Sequence, residues 1–532
     1  MLACCAAASL AAVEWSWRHG AMLNYGDAIA HLHIARRVFD SRTPRLSQLG
    51  SVWLPLPHIL MIPFVQVCRW WANGIAGMIP SALAYIASCV GLYRLARRWL
   101  RPAEAVLALA FFALNPNLLY LQTTAMTEPL FLCEVIWIVT AAVEWHAAVG
   151  QANQPKVRGL QAWIAALLVA AVFTRYDGWV LALLVWCGMG VVLLQRGRLR
   201  SPSFWIASLV VVAAPAAWFV YNSVAFGDWL YFARGPYSAK AIELRTEVHG
   251  AGPPHPGWRN PWVGLLFFLK VSEMDAAAAA WGNGMLVLAA LGTAWAWLRA
   301  RRRAFAWVLL LWLPVPFYAF AVAYASVPIF LPVWWPHSWY NTRYGMEMLP
   351  ALALGMGFAA QFIVGAAQEF KPRWGKYAAG ALFALAAVNV WLVVREGPLV
   401  YVEGTKNAEA RRAFDREIPP ALRALVATRR GEAVLMITSV HPELVALTGI
   451  PLRQTINESD LNIYRAALAA PAAHAAIVVA CDGDAVDRAV KKHPEGLTAV
   501  RRFTDRGQPA CTIYVSNTYR ARRAPANLNN PA

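Results

Sequence analysis

An acid, Asp27, stands in Asn24-Tyr25-Gly26-Asp27-Ala28-Ile29-Ala30-His31, after the first apolar stretch of the chain and ahead of an amphipathic one. A carboxylate at the edge of an apolar region is suited to take a proton from a hydroxyl or amine brought within hydrogen-bond reach. The same carboxylate also suits a helix N-cap, accepting from first-turn N–H groups. Both readings stand at this point. His31 follows one helical turn later on the same face, whereas His33 is displaced by two positions and points elsewhere. A metal held by Asp27 and His31 would therefore need a distant third ligand.

A second acid, Glu128, lies in Thr124-Ala125-Met126-Thr127-Glu128-Pro129-Leu130-Phe131, where Thr127 as N-cap and Pro129 in the first turn predict a helix start. Two arginines stand near apolar ends as well. Arg175 sits in Thr174-Arg175-Tyr176-Asp177-Gly178-Trp179, a short turn with aromatic neighbours, and Arg343 in His337-Ser338-Trp339-Tyr340-Asn341-Thr342-Arg343-Tyr344. A guanidinium is the group best shaped to hold a carboxylate or phosphate through two parallel bonds, although one at a membrane boundary can also simply snorkel. Asp482-Gly483-Asp484 has the form of a metal–nucleotide Asp-x-Asp but reads better as a turn at a strand end.

The elements that position these groups are apolar. The chain has 532 residues, 59% hydrophobic and 14% charged, against about 25% charged in soluble domains. This is the composition of an integral membrane protein. A net charge of +19 would fit nucleic acid, but the basic residues fall in short clusters between apolar stretches, as positive-inside topology requires, and no nucleic-acid partner is expected. With about 20 apolar residues needed per crossing, about eleven stretches qualify: 2–17, 75–95, 103–122, 129–147, 160–174, 178–195, 203–221, 281–298, 305–324, 345–367 and 376–394. The first is short and contains Glu14; a cleaved signal peptide would want a basic start that Met1–Cys4 lacks.

Basic clusters at 94–101, 156–158, 196–200, 299–303 and 371–376 mark every second loop. These put the N-terminus in the cytoplasm and the C-terminus outside, together with 18–74, 123–128, 175–177, 222–280 and 325–344. The run 53–72 is apolar enough to tempt a span assignment, but its prolines and tryptophans suit an interfacial helix, and counting it would invert every later loop. After about 398 the apolar runs end. Strand-like 433–438, 475–480 and 512–515 alternate with helix-like 406–430, 441–448 and 484–493, predicting a small α/β domain outside the membrane. The expected organisation is a membrane region 1–398, an extracytoplasmic α/β domain 399–518 and a disordered tail 519–532.

Six cysteines (Cys4, Cys5, Cys68, Cys89, Cys133 and Cys187) lie in or beside apolar stretches as small hydrophobes. Antiparallel pairing of Ile477–Cys481 with Cys511–Val515 would bring Cys481 and Cys511 within disulfide reach; two unrelated thiols are the alternative.

The order of several of these features resembles that of the polytopic GT-C glycosyltransferases, which use a polyprenyl-phosphate sugar, such as protein O-mannosyltransferases and aminoarabinose transferases. The elements that carry the resemblance are Gly26-Asp27-Ala28 after the first span, Pro55-Leu56-Pro57-His58 with Trp53, Ile79-Pro80-Ser81-Ala82-Leu83-Ala84 and Tyr93-Arg94-Leu95-Ala96-Arg97-Arg98, and the second acid at Glu128. Ala28 stands where many relatives have another acid. The resemblance implies a multi-pass α-helical GT-C-like membrane protein that transfers a sugar from a polyprenyl-phosphate carrier to a protein, lipid or polysaccharide acceptor at the outer face of the cytoplasmic membrane. It assigns Asp27 as the base of an inverting transfer, with Glu128 as the second catalytic residue, orienting the acceptor or holding Asp27 and His31 in place. His31, His58, Arg175, Tyr176, Asp177, His337, Asn341, Arg343 and Tyr344 become candidates for binding substrate. The prolines and aromatics of 53–64 would line the path of the prenyl chain. No cofactor is implied, and a divalent metal is left open. The rival reading is a transporter or flippase of a lipid-linked or anionic solute, which usually shows repeat symmetry and midplane polar groups; a non-catalytic assembly subunit is a third.

Overall fold

The computed structural model describes residues 2–151, 153–246, 253–300, 303–505 and 508–519. The chain divides into two compact units, one of Met1–Met22, Ser51–Leu60 and Gly77–Thr405, the other of Leu23–Gly50, Met61–Ala76 and Lys406–Ala532. The tail expected over 519–532 lies, beyond Tyr519, outside the described residues.

Among the described residues eight helices are long and apolar enough to cross a membrane: Ile75–Ala96, Glu128–Gly150, Gln154–Thr174, Asp177–Gln195, Pro202–Phe226, Arg303–Tyr324, Thr342–Phe370 and Trp374–Thr428. The chain is a multi-pass membrane protein. Three of the eleven expected spans are not in this set. The stretch 103–122 is broken into Pro102–Ala113 and Pro116–Leu121, because Pro116 has no N–H to continue the ladder. The Asn115 side chain caps the new helix, accepting from the N–H groups of Asn117 and Leu118. Leu2–Arg18 has 17 residues, and Gly282–Ala300 carries Asn283 and Arg299.

The run 53–72 forms two short helices, Leu56–Val65 and Cys68–Asn73, of 10 and 6 residues. The longer rises about 15 Å, half of a hydrocarbon core of about 30 Å, so this run is not a span. Where long helices meet closely, small residues permit it: a Cβ on Gly292 would overlap the Gly355 carbonyl, and one on Gly355 the Ala289 carbonyl.

The second unit is built on a five-stranded sheet, β1 Val434–Leu435, β2 Thr455–Ile456, β3 Ile477–Cys481, β4 Leu497–Phe503 and β5 Cys511–Ser516, in the order β2-β1-β3-β5-β4. β1 pairs parallel with β2 and β3, while β5 runs antiparallel between β3 and β4. Leu435, Ile456, Val478, Val486 and Val490 form its core. Cys481 lies directly opposite Cys511 in the ladder, and the two are joined in a disulfide. Asp482-Gly483-Asp484 is a strand-end turn: Gly483 has φ +82°, and Asp484 caps Ala485–Lys492 by accepting from the Asp487 N–H.

Segments from early in the chain complete this unit. His33 Nε2 donates to the Pro442 carbonyl at 2.7 Å, and Arg37 Nη1 to Ser459 Oγ at 2.9 Å. Arg42 reaches the Thr455 and Gln454 carbonyls, and Arg411 holds the carbonyls of Leu23 and Asn24. The helix Gly26–Arg37 is thus tied to the C-terminal α/β fold by side-chain hydrogen bonds at both ends.

Candidate active site

The turn at Arg175 is tight because Gly178 packs against the Ala171 carbonyl, where a Cβ would overlap, so Gln154–Thr174 and Asp177–Gln195 are joined by Arg175 and Tyr176 alone. The turn aims the Arg175 side chain inward. Its Nη1 lies 3.3 Å from Glu128 Oε1, its Nε 3.3 Å from Asp177 Oδ2, and its Nη2 2.9 Å from both Glu347 Oε1 and the Tyr318 hydroxyl. Tyr318 itself donates to Glu347 Oε1 at 2.6 Å.

Glu128 begins the helix Glu128–Gly150, as expected. Thr127 occupies the N-cap position without capping, and its hydroxyl accepts instead from Arg175 at 3.2 Å. Glu128 Oε1 also receives Arg343 Nε at 3.1 Å, so one carboxylate oxygen bridges two guanidiniums. Arg343 in turn lies 3.5 Å from Glu403 Oε1. Glu403 is fixed by the backbone that presents Arg343: it accepts from the N–H groups of Asn341 and Thr342 and from the Thr342 hydroxyl. Asn341 adopts φ +56°, which the short amide side chain tolerates. The Tyr344 ring faces both guanidiniums, each 5.1 Å from its centroid.

Four carboxylates therefore surround two arginines; the carboxylates and Arg343 are buried, and the Arg175 side chain is 15% exposed. Asp275 is buried nearby, with neither carboxylate oxygen hydrogen-bonded and one of them against Gly345. Burial, and secondarily the charge of Glu403, push its carboxyl well above the ordinary carboxylate range. A narrow cleft of about 20 Å³ lies between Phe131, Leu132, Leu181, Leu313 and Phe317, with Asp177 and Glu347 also in its wall.

Of the residues singled out in the sequence, Glu128, Arg175, Asp177, Arg343 and Tyr344 meet in this cluster, and Asn341 supports it. Tyr176 is turned aside, donating to the Val52 carbonyl at 3.0 Å and stacking on Phe232. His337 is exposed and engages Pro332 within its own loop. His58 is fully buried in the first turn of Leu56–Val65. Asp27 and His31 belong to the other compact unit. There Asp27 is not the N-cap: Tyr25 holds that position, and Asp27 is the second helical residue, where its charge still meets the helix dipole. His31 is buried one turn on, and His33 lies between Pro442 and Trp71. Glu347, Glu403, Tyr318 and Asp275 had not been singled out. Glu347 carried a signal, as the lone acid inside an apolar stretch.

Compared with solved structures, the chain is similar to ArnT from Cupriavidus metallidurans bound to undecaprenyl phosphate, with 15% identity, a TM-score of 0.52, and 95% of this chain and 97% of that one covered. The chain has the GT-C fold. The same ArnT in the apo state matches at 15% identity and a TM-score of 0.49, covering 91% of this chain and 93% of that one. An Archaeoglobus fulgidus oligosaccharyltransferase in complex with Zn and sulfate matches at 12% identity and 0.48, covering 92% and 69%. No known protein family and no curated protein matches the sequence.

Proposed function

We propose that this chain is a membrane glycosyltransferase that moves a sugar from a polyprenyl-phosphate carrier to an acceptor hydroxyl or amine at the outer face of the cytoplasmic membrane. The observation that carries this reading is the buried Glu128–Arg175–Arg343 cluster at helix ends of a GT-C fold. The ArnT of the same fold is bound to undecaprenyl phosphate, and a polyprenyl phosphate is the donor class proposed here. The basic clusters of alternate loops support an N-terminus inside and a C-terminal domain outside.

In this mechanism the Asp27 carboxylate takes the proton of the acceptor as its oxygen or nitrogen attacks the sugar carbon from the face opposite the phosphate. The carbon–oxygen bond to phosphate breaks, and the configuration inverts. Phosphate leaves without needing a proton, so one base suffices. Guanidinium N–H groups of Arg175 and Arg343 stabilise the charge that develops on the leaving oxygen. They stand preorganised by Glu128, Asp177, Glu347 and Glu403. With carboxylates outnumbering arginines, phosphate enters this cluster either by displacing a carboxylate or together with a cation.

The test is transfer by purified protein from a panel of polyprenyl-phosphate sugars, with and without chelator. Asp27→Asn keeps a hydrogen-bonding side chain but loses basicity, so turnover should fall by about 10²- to 10⁴-fold. Wild-type turnover in that variant removes Asp27 from the role, and uptake of the lipid-linked solute without transfer would favour a transporter.

A further inference from the structure

In the second unit a buried imidazole nitrogen has no hydrogen-bond partner. His441 precedes Pro442–Thr448, with its side chain 7% exposed. Its Nδ1 is engaged by Glu443 Oε1 at 3.2 Å, which makes Nδ1 the protonated nitrogen and leaves a lone pair on Nε2. Nε2 is buried without a hydrogen bond. A ring nitrogen of His441 and the sulfurs of Cys481 and Cys511 all lie within 4.8 Å of one another, and all three residues are buried. Phe414 stacks on the imidazole, with ring centroids 4.6 Å apart, and fixes its plane.

The disulfide explains the two sulfurs but not the imidazole, because a disulfide has no proton to give Nε2. Two thiolates and a neutral imidazole are the donor set of a soft metal ion. A carboxylate on the far ring nitrogen is the arrangement that orients a ligating histidine and raises its basicity. An ion at about 2.0–2.3 Å from each donor needs donors about 3.5–4 Å apart, so the two sulfurs, bonded to each other here, must separate after reduction while the imidazole and the sulfurs close to that range, and rotation of the cysteine side chains can supply both movements. The antiparallel register of β3 and β5 holds both cysteines opposite each other whatever the oxidation state of the sulfurs.

We propose that Cys481, Cys511 and His441 form a redox-gated site for a thiophilic metal ion, with three-coordinate monovalent copper the best match to three buried donors. Opening the site requires a dithiol reductant. Exchange breaks the Cys481–Cys511 bond and delivers two electrons and two protons, leaving two thiols here and a disulfide in the reductant. The metal ion then displaces both thiol protons to solvent and forms two bonds to sulfur and one to Nε2. The reverse exchange with a disulfide re-forms the Cys481–Cys511 bond, passes the two electrons back to that disulfide as two thiols, and releases the ion.

The full-length protein in detergent tests this. It is reduced with dithiothreitol, desalted anaerobically and titrated with Cu(I) against a chromophoric chelator, with Zn(II) in parallel. The double variant Cys481→Ser/Cys511→Ser gives the background from the six other cysteines, Cys4, Cys5, Cys68, Cys89, Cys133 and Cys187. One ion should bind the reduced protein above that background and none the oxidised protein. Affinity should fall at least about 100-fold in His441→Gln and about 10-fold in Glu443→Gln. X-ray absorption should count two sulfurs and one nitrogen around the metal. The serine variant reports only background, so a failure of it to fold leaves the histidine and absorption measurements decisive. Unchanged affinity in His441→Gln, no ion bound above background, or a reduced protein that unfolds and does not recover with either metal overturns the proposal.

Discussion

Glu128 Oε1 lies between two guanidiniums, and those two cations face each other across it at distances where unscreened repulsion would be large. Replacing it with Gln keeps an acceptor but removes the charge that balances them. Breaking a buried pair on one side typically costs about 3–5 kcal/mol. Glu128→Gln should lower unfolding free energy by about 3 kcal/mol in denaturant titration and abolish transfer, whereas Arg94→Gln, at an exposed pair with Glu144, should change stability by less than about 1 kcal/mol. Asp275 carries the opposite expectation. Its folded carboxyl holds a proton that the unfolded chain releases, so its burial weakens the fold increasingly as pH rises from about 4 toward its raised folded value. Asp275→Asn, neutral at every pH and nearly isosteric, should raise the melting temperature at pH 7 and leave it unchanged near pH 3; equal shifts at both would remove the proton from the account. The acids and arginines of the cluster differ in how far the sequence exposed them. Glu128 is legible because the resemblance places a second acid there, and Arg175 because an arginine on the expected outer side runs against the positive-inside bias. Glu403 is not, because it lies in the charged helix Leu399–Thr428, where one more acid is ordinary, and only the left-handed turn at Asn341 gives it a role.

The helix Gly26–Arg37 owes its seat to contacts no local pattern announces. His33 donates through Nε2 to the Pro442 carbonyl and accepts from Trp71 Nε1 at 3.1 Å through Nδ1, so both ring nitrogens are used in the neutral form. Burial, chiefly, drops its pKa from 6.5 to about 4. A proton added at Nδ1 would meet the Trp71 N–H. Between these values the unfolded chain binds the proton and the folded one does not, so stability is complete above about pH 6.5 and declines as pH falls toward 4. The shift corresponds to about 3 kcal/mol. Hydrogen exchange of 23–50 should therefore quicken between pH 6.5 and 4 beyond its intrinsic pH dependence, and His33→Gln should flatten that trend; an unchanged trend in the variant would assign the effect elsewhere. Sequence periodicity placed this helix and the strands β1, β3 and β5. It missed β4, whose middle residues are exposed and lack apolar alternation, and β2, which is two residues long. It also ran 103–122 as one helix, since hydropathy averages over the break that Asn115-Pro116 makes.

A boundary near 399 follows from where apolar runs end, which is a statement about the solvent around each segment. Compactness is a different property, and by that measure Leu23–Gly50 and Met61–Ala76 join Lys406–Ala532. The helix bearing Asp27 is then part of the fold that the C-terminal region builds, so on the proposed reading that region seats the base. Ending the chain after Thr405 would leave every helix from Glu128–Gly150 to Thr342–Phe370 and the whole arginine–carboxylate cluster intact. It would remove the partners of His33, Arg37 and Arg42 in Pro442, Ser459 and Thr455. At roughly 1 kcal/mol for each of these bonds, local opening around Gly26–Arg37 should become favoured by about 3 kcal/mol, or about 100-fold. The truncated protein should insert and elute as a single species, lose transfer, and show that gain in exchange rate confined to 23–50. Wild-type protection there would mean that the helix is seated without the C-terminal fold, and the loss of transfer would then have to be explained through the acceptor.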